Sequence, residues 1–191
     1  ITRDVRRAVN LPLGVNVQYN AWAAEISIAC ACGADFIRVE VFVDTVLSPQ
    51  GLIQPCAASL TRMRKKLDAK VQIWADLQAR HTTPIMAHSL VQSAIAAQNA
   101  RADALILTGA LTGQAAPLEA VAEVKRSVMV PVLAGSGVTL KNLEAVLAAA
   151  DGVIVGAALK EGGEVTNRVS EPAARGFMEA ARKIRDRMLA A

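Results

Sequence analysis

Aromatic residues are scarce in this chain: two Trp, one Tyr and three Phe among 191 residues. Proteins that bind nucleic acid by stacking need aromatic platforms, so the net charge of +4 is not read as a nucleic-acid surface. Its basic residues (Arg3, Arg6, Arg7, the patch from Arg62 to Lys66, and the last helix) fall at helical spacing on faces expected to be solvated. Long uncharged apolar runs are also lacking; none reaches the roughly 18 residues that a membrane span demands. Cysteine is sparse and odd in number, with Cys30, Cys32 and Cys56. Cys30 and Cys32, two apart on a helix, point to different sides and cannot jointly clamp a metal. The three are expected as reduced core thiols in a cytoplasmic setting. A Gly-x-Ser-x-Gly elbow, a Walker loop and a Cys-rich metal motif are absent. No lysine ends a strand inside the sheet's inner face, which argues against Schiff-base chemistry.

Alanine and aliphatic residues are abundant, giving 53% hydrophobic residues. At this length the chain is expected to be one domain, 1–191, with a substantial core. Apolar strands are predicted at Leu13–Val17, Phe36–Val41, Val71–Ala75, Ala104–Thr108, Val130–Ala134 and Gly152–Gly156, separated by helices of ten or more residues. Three of these strands follow one phrase: Gly33-Ala34-Asp35, Arg101-Ala102-Asp103 and Ala149-Ala150-Asp151. Each Asp marks the turn between a helix and the next buried strand. This alternation means βαβ units and a parallel sheet. Asn20, Ser89, Thr139 and Ser170 are expected to cap helices, the last with Pro172 in its first turn. Asp44 to Ala57, with Pro49, Gly51 and Pro55, is expected to be an irregular loop over the functional face, able to act as a lid.

The segment VPVLAGSGVTLKNLEAVLAAADGVIVGAALK, Val130 to Lys160, carries two successive strands that each run into glycine. Gly135, Ser136 and Gly137 follow the first strand, and Gly156 and Ala157 the second. Backbone N–H groups freed there make a cradle for an anion. In a βα barrel, phosphate binds in the loops after the seventh and eighth strands. The predicted class is therefore α/β, a TIM (β/α)8-type barrel represented by six βα units. The first two units are expected to be missing from this sequence, which begins at Ile1. The alternative is an open doubly-wound sheet.

Strand parity selects the candidate site residues. Arg38 and Glu40 share a face and should point inward, with Glu40 nearer the C-terminal end. Asn16 and Gln18 share the inner face of the first strand. Asp76 ends its strand on matching parity, and His81 follows in a short loop. Glu40, Asp76 and His81 are the candidate acid–base residues, since a carboxylate can orient an imidazole that titrates near neutrality. A structural ion pair of Arg38, or a loop role for His81, are the competing readings. Converging Asn, Glu and Asp oxygens could instead hold a divalent cation, and the sequence leaves the cofactor otherwise open. Thr108-Gly109 and Thr112-Gly113 offer hydroxyls and open backbone at the same height. Lys160 is placed to help neutralise a phosphate. His88, just before Ser89, is expected at the surface.

These residues also carry a family resemblance. The stretches LPLGVNVQYN, GADFIRVEVFVD, QGLI, PCAASLTRMRKKL, WADLQARH, ADALILTGALTG, PVLAGSGVT and DGVIVGAALKEGG, in order from Leu11 to Gly163, resemble the BtpA family. That family is named for a photosystem I biogenesis protein. The resemblance implies a phosphate-binding type of barrel whose full-length members begin with a further strand pair. It leaves the reaction open. Two functions are expected on this footing. One is an isomerase, lyase or hydrolase acting on a small phosphorylated molecule. The other is a non-catalytic assembly or regulatory factor. Open sheet edges would make the chain a homo-oligomer.

Overall fold

A computed structural model of the chain describes residues 1–109 and 115–190. Its elements, in chain order, are α1 (Thr2–Ala8), β1 (Gly14–Val15), α2 (Trp22–Cys32), β2 (Phe36–Val39), β3 (Val46–Ser48), β4 (Gly51–Ile53), α3 (Ala57–Lys66), β5 (Gln72–Leu77), β6 (Thr83–Pro84), α4 (Leu90–Asn99), β7 (Ala104–Thr108), α5 (Leu118–Ser127), β8 (Val132–Gly135), α6 (Leu143–Ala149), β9 (Gly152–Ile154) and α7 (Glu171–Ala190), with two short 3-10 turns between β9 and α7. Six strands form one sheet in the order β1-β2-β5-β7-β8-β9, every neighbouring pair parallel. The sheet is part of a βα barrel. The six expected strands are all present, and their C-terminal ends share one face.

Alternation along each strand divides the sheet's two faces. Ile37, Val39, Ile73, Ala75, Leu77, Leu105, Leu107, Val132 and Ala134 belong to the buried core. They pack against Ile26, Ala29, Leu60, Ala94, Ala97, Val121, Val124, Leu143, Val146, Phe177 and Ile184 of the helices. Fully burying one such aliphatic side chain contributes about 1.5–3 kcal/mol, so this layer dominates the stability. The opposite parity carries Phe36, Arg38, Trp74 and Asp76 on the inner face. At its base the Phe36 and Trp74 rings stack at 3.7 Å, and Trp74 Nε1 donates to Gln72 Oε1 at 3.0 Å. Gly14 leaves room for this stack: a Cβ there would lie 2.2 Å from the Phe36 ring as it stands.

The repeated Asp is a staple as well as a turn. The carboxylates of Asp35, Asp103 and Asp151 accept the N–H groups of Leu13, Ile73 and Val132 at 2.7, 2.8 and 2.9 Å. Their own N–H groups donate back to the carbonyls of the same three residues. Each also meets a cation from a helix: Arg6, Arg64 and Lys125. One phrase thus fixes register at three places along the sheet.

Several expectations are corrected. The segment Asp44 to Ala57 is not irregular; β3 and β4 form an antiparallel hairpin, and β6 adds to it to make a second, three-stranded sheet. Asn20 does not cap α2. Its φ of 54° turns the side chain away, to accept Val41 N–H at 3.2 Å and donate to Gln54 O at 3.0 Å. Thr139 caps no helix either, because α6 starts only after Asn142, whose Oδ1 accepts Thr139 N–H at 2.7 Å. Ser89 heads a complete capping box with Gln92, and Ser170 Oγ accepts Ala173 N–H at 3.3 Å. Of the cysteines only Cys56 is buried; Cys30 is exposed and Cys32 half-buried. They lie toward the C-terminal end of α2, past the face that meets the sheet. Among the described residues no helix is long and apolar enough to cross a membrane.

Candidate functional site

A polar cavity of about 190 Å3 opens at the C-terminal ends of β1, β2 and β5, lined by Asn16, Gln18, Tyr19, Arg38, Glu40, Asp76, Ala79, Arg80 and His81. Five candidates from the sequence, Asn16, Arg38, Glu40, Asp76 and His81, therefore meet in one place. Parallel register brings them together: Arg38 pairs with Trp74 across β2 and β5, which sets Asp76 one inward step beyond it. The Arg38 guanidinium donates to both Asp76 oxygens, Nε to Oδ1 at 2.9 Å and Nη2 to Oδ2 at 2.8 Å. Burial pushes the Asp76 carboxyl above its usual range, and this bidentate contact opposes the push.

Glu40 follows β2 directly and is buried, with 6% exposure. Its Oε1 accepts Asn16 Nδ2 at 3.0 Å, while its Oε2 has no hydrogen-bond partner. Burial holds this carboxyl above the ordinary range, against the Asn16 hydrogen bond that favours the charged form. A buried acid with one oxygen unused and a cavity beside it is suited to proton transfer. His81 sits at the exposed rim with a φ of 60°, and Gln78 in the same loop has a φ of 47°. His88 is exposed and its Nδ1 lies 3.2 Å from Asp44 Oδ1.

Glu25 is the residue the sequence did not disclose. It lies in the first turn of α2 with no exposed surface, its Oε1 accepting Val17 N–H at 2.8 Å and Asn16 Nδ2 at 3.4 Å. Its Oε2 has no partner. Burial raises it to about 7. One signal was available: Glu25 is the only charged residue in WAAEISIACAC, four before buried Ala29. Arg80 and Tyr19, which also line the cavity, were likewise not singled out. Cys56, the residue preceding α3, is pushed up to about 12 by burial and then by Glu25, which keeps it a thiol.

The glycine turns lie on the same face but two and three strands away from β5. Gly135 pairs with Thr108 on one side and Ile154 on the other, so Gly137 and Gly156 follow adjacent strand ends. Ser136 and Gly137 take successive φ values of 65° and 62°. Space above Gly156 is open, with no atom within 4 Å of a Cβ built there. Thr108 lines a second cavity of about 340 Å3 together with Arg80 and His81, between the two groups. Gly109 is the last described residue before the 110–114 stretch; Thr112 and Gly113 lie outside the described residues. Lys160 donates its ammonium to Val165 O, so it is tied to the 160–169 loop. No three His, Cys, Asp or Glu side chains among the described residues are placed to hold a metal ion.

Three similar proteins place the chain. An uncharacterised protein of Pyrococcus horikoshii is 37% identical over 172 residues, covering 89% of this chain and 65% of that protein. The photosystem I biogenesis protein of Synechocystis sp. is 34% identical over 185 residues, covering 94% and 64%. The chain thus spans about 65% of the length of these relatives. Among solved structures, the thiamine phosphate pyrophosphorylase from Pyrococcus furiosus superposes with a TM-score of 0.63 at 21% identity, over 98% of this chain and 73% of that one. That likeness is one of fold. The family model described as the BtpA family matches residues 1–183, and the chain belongs to that family.

Proposed function

We propose that the chain binds a small phosphorylated molecule at the C-terminal face of its parallel sheet and performs acid–base chemistry on it through Glu40. The observation that carries this reading is the buried, unpartnered Oε2 of Glu40 in a polar cavity. A charge-bearing oxygen is costly to leave unused in a core, and functional sites are where that cost is kept. Asp76, held by Arg38, fixes the cavity wall and keeps the guanidinium beside Glu40. His81 at the rim is the second proton-transfer candidate, and Arg80 beside it supplies a fixed positive charge. Backbone N–H groups at Gly135–Gly137 and at Gly156 and Ala157, with Ser136, receive the phosphate, and Thr108 and Gly109 lie between the two groups. Asn16 orients Glu40. The chemistry fits an isomerase, lyase or hydrolase. The similar solved structure carries thiamine phosphate in its name, which agrees with a phosphorylated ligand.

A second reading has its own observation. Leu47, Leu52, Ile85 and Met86 on and beside the small antiparallel sheet are each 57–65% exposed. Apolar residues grouped like this suit an assembly or regulatory role, as in the name of the cyanobacterial relative. A screen of phosphorylated metabolites for turnover, wild type against Glu40→Gln, separates the two. Turnover in the wild type, reduced at least 100-fold in the variant with ligand binding retained, supports the enzyme. Binding with equal turnover in both proteins removes Glu40 from the chemistry. Absence of any binding or turnover favours the assembly reading.

A further inference from the structure

We infer that Glu25 and Glu40, both hydrogen-bonded to Asn16, hold one proton between them, that it rests on Glu25, and that Glu25 is thereby the positioning residue that leaves Glu40 ionised in the cavity. The inference rests on the reading of Glu40 as the acid–base group. Asn16 Nδ2 carries two hydrogens and meets three acceptors: Arg38 O at 2.8 Å, Glu40 Oε1 at 3.0 Å and Glu25 Oε1 at 3.4 Å. The two shorter contacts use both hydrogens, and Glu25 receives the long one. Both carboxyls touch this one nitrogen, and each keeps a second buried oxygen without a partner.

The charge of Arg38 reaches Glu40, and no ion pair among the described residues answers Glu25. Arg38 commits both of its contacts to Asp76, and among the described residues neither Glu25 nor Glu40 forms an ion pair. Two carboxylates around one neutral donor cannot both ionise cheaply, as in other acid pairs that share a site. The proton's place follows from solvation. Glu25 is fully enclosed and has Val17 N–H as its one short donor. Glu40 keeps 6% exposure and has the shorter Asn16 contact.

The surrounding groups leave this assignment intact. From α3 comes Cys56, which stays a neutral thiol. From β2 and β5 come Arg38, whose charge favours ionised Glu40, and Asp76, whose charge disfavours ionisation of both glutamates. Arg80, His81 and Tyr19 line the same cavity. From α1, Arg6 is spent on Asp35 at the opposite end of α2. The upward shift of Glu25, first by burial and also by the charge of Glu40, agrees with the geometry.

The test is a 13C carboxyl NMR titration of the chain labelled at glutamate Cδ, for wild type, Glu25→Gln, Glu40→Gln and Asn16→Ala. The wild type should show two steps for the pair, the upper near pH 7. Glu25→Gln should abolish the upper step and leave the lower. Glu40→Gln should move the upper step down by roughly one unit or more, because the neighbouring charge is gone. Asn16→Ala should move the lower step up. An upper step unmoved in Glu40→Gln, or both wild-type carboxyls charged at pH 6, overturns the inference. The wild-type titration alone decides this if a variant does not fold. It needs no substrate, so a failed ligand search leaves it standing. Conversely, uncoupled titrations with turnover lost in Glu40→Gln would overturn the shared proton and spare the proposed function.

Discussion

Replacing Glu25 by Gln should make the protein more stable at neutral pH and leave it unchanged in acid. Glu25 has no exposed surface, and burial raises it from 4.5 to about 7. A carboxyl whose folded value exceeds its unfolded value binds more protons when folded. Its contribution is therefore complete below about pH 4.5 and is lost as pH rises toward 7. At about 1.4 kcal/mol per unit, that interval corresponds to roughly 3 kcal/mol. Glutamine keeps a carbonyl oxygen for Val17 N–H and carries no charge, so the variant lacks this loss. Against a typical total of about 5–15 kcal/mol the difference is large. Urea denaturation of both proteins at half-unit steps from pH 4.5 to 8 measures it, with equal m values as the control. The two curves should meet near pH 4.5, diverge to about 3 kcal/mol by pH 7 and run parallel above. Parallel curves throughout, or a variant that loses stability relative to wild type with rising pH, would refute the reasoning by showing Glu25 ionised in the fold.

Three further outcomes follow from other contacts. Arg38→Met should cost about 2–4 kcal/mol at pH 7, at the low end for a broken buried pair because Arg38 is one-quarter exposed. Adding Asp76→Asn to it should recover part of that cost; both are read by denaturant midpoints. Ser89→Ala should lose about 1 kcal/mol by removing the capping box of α4, measured the same way. Gly14→Val should cost about 1–3 kcal/mol, because the Phe36 ring must leave its stack on Trp74 to admit the new side chain, and denaturant midpoints would show the loss.

Much of the sheet was legible because each parallel strand is a short apolar run between helices, with a local marker, the Asp staple, before three of them. Boundaries moved where local chemistry intervened. β8 begins at Val132, past Pro131, and β5 continues to Leu77, past the expected Ala75. The second sheet was not legible, because β6 joins β3 from 36–38 residues away in a two-residue strand containing proline. No period can be read from so short a segment. The inward parity of Arg38, Glu40 and Asp76 was readable, since alternation is a backbone property. The choice of Asp76 as Arg38's partner was not, because it depends on the register between β2 and β5. Glu25 escaped for a related reason: on an apolar helix a lone acid marks either face, and only packing shows that it turns under β1 toward Asn16.

The most direct test of a phosphorylated ligand at the C-terminal face is an amide 15N–1H titration with inorganic phosphate and then a sugar phosphate. Saturable shifts are expected at Gly137, Gly156 and Ala157, with smaller ones at Ser136 and Thr108. Gly156→Val should abolish them without unfolding, since a side chain there meets open space in the protein and fills only the ligand's. Shifts confined to the basic surface from Arg62 to Lys66, or an equal response in Gly156→Val, would contradict the account and leave two glycine turns with no anion to hold.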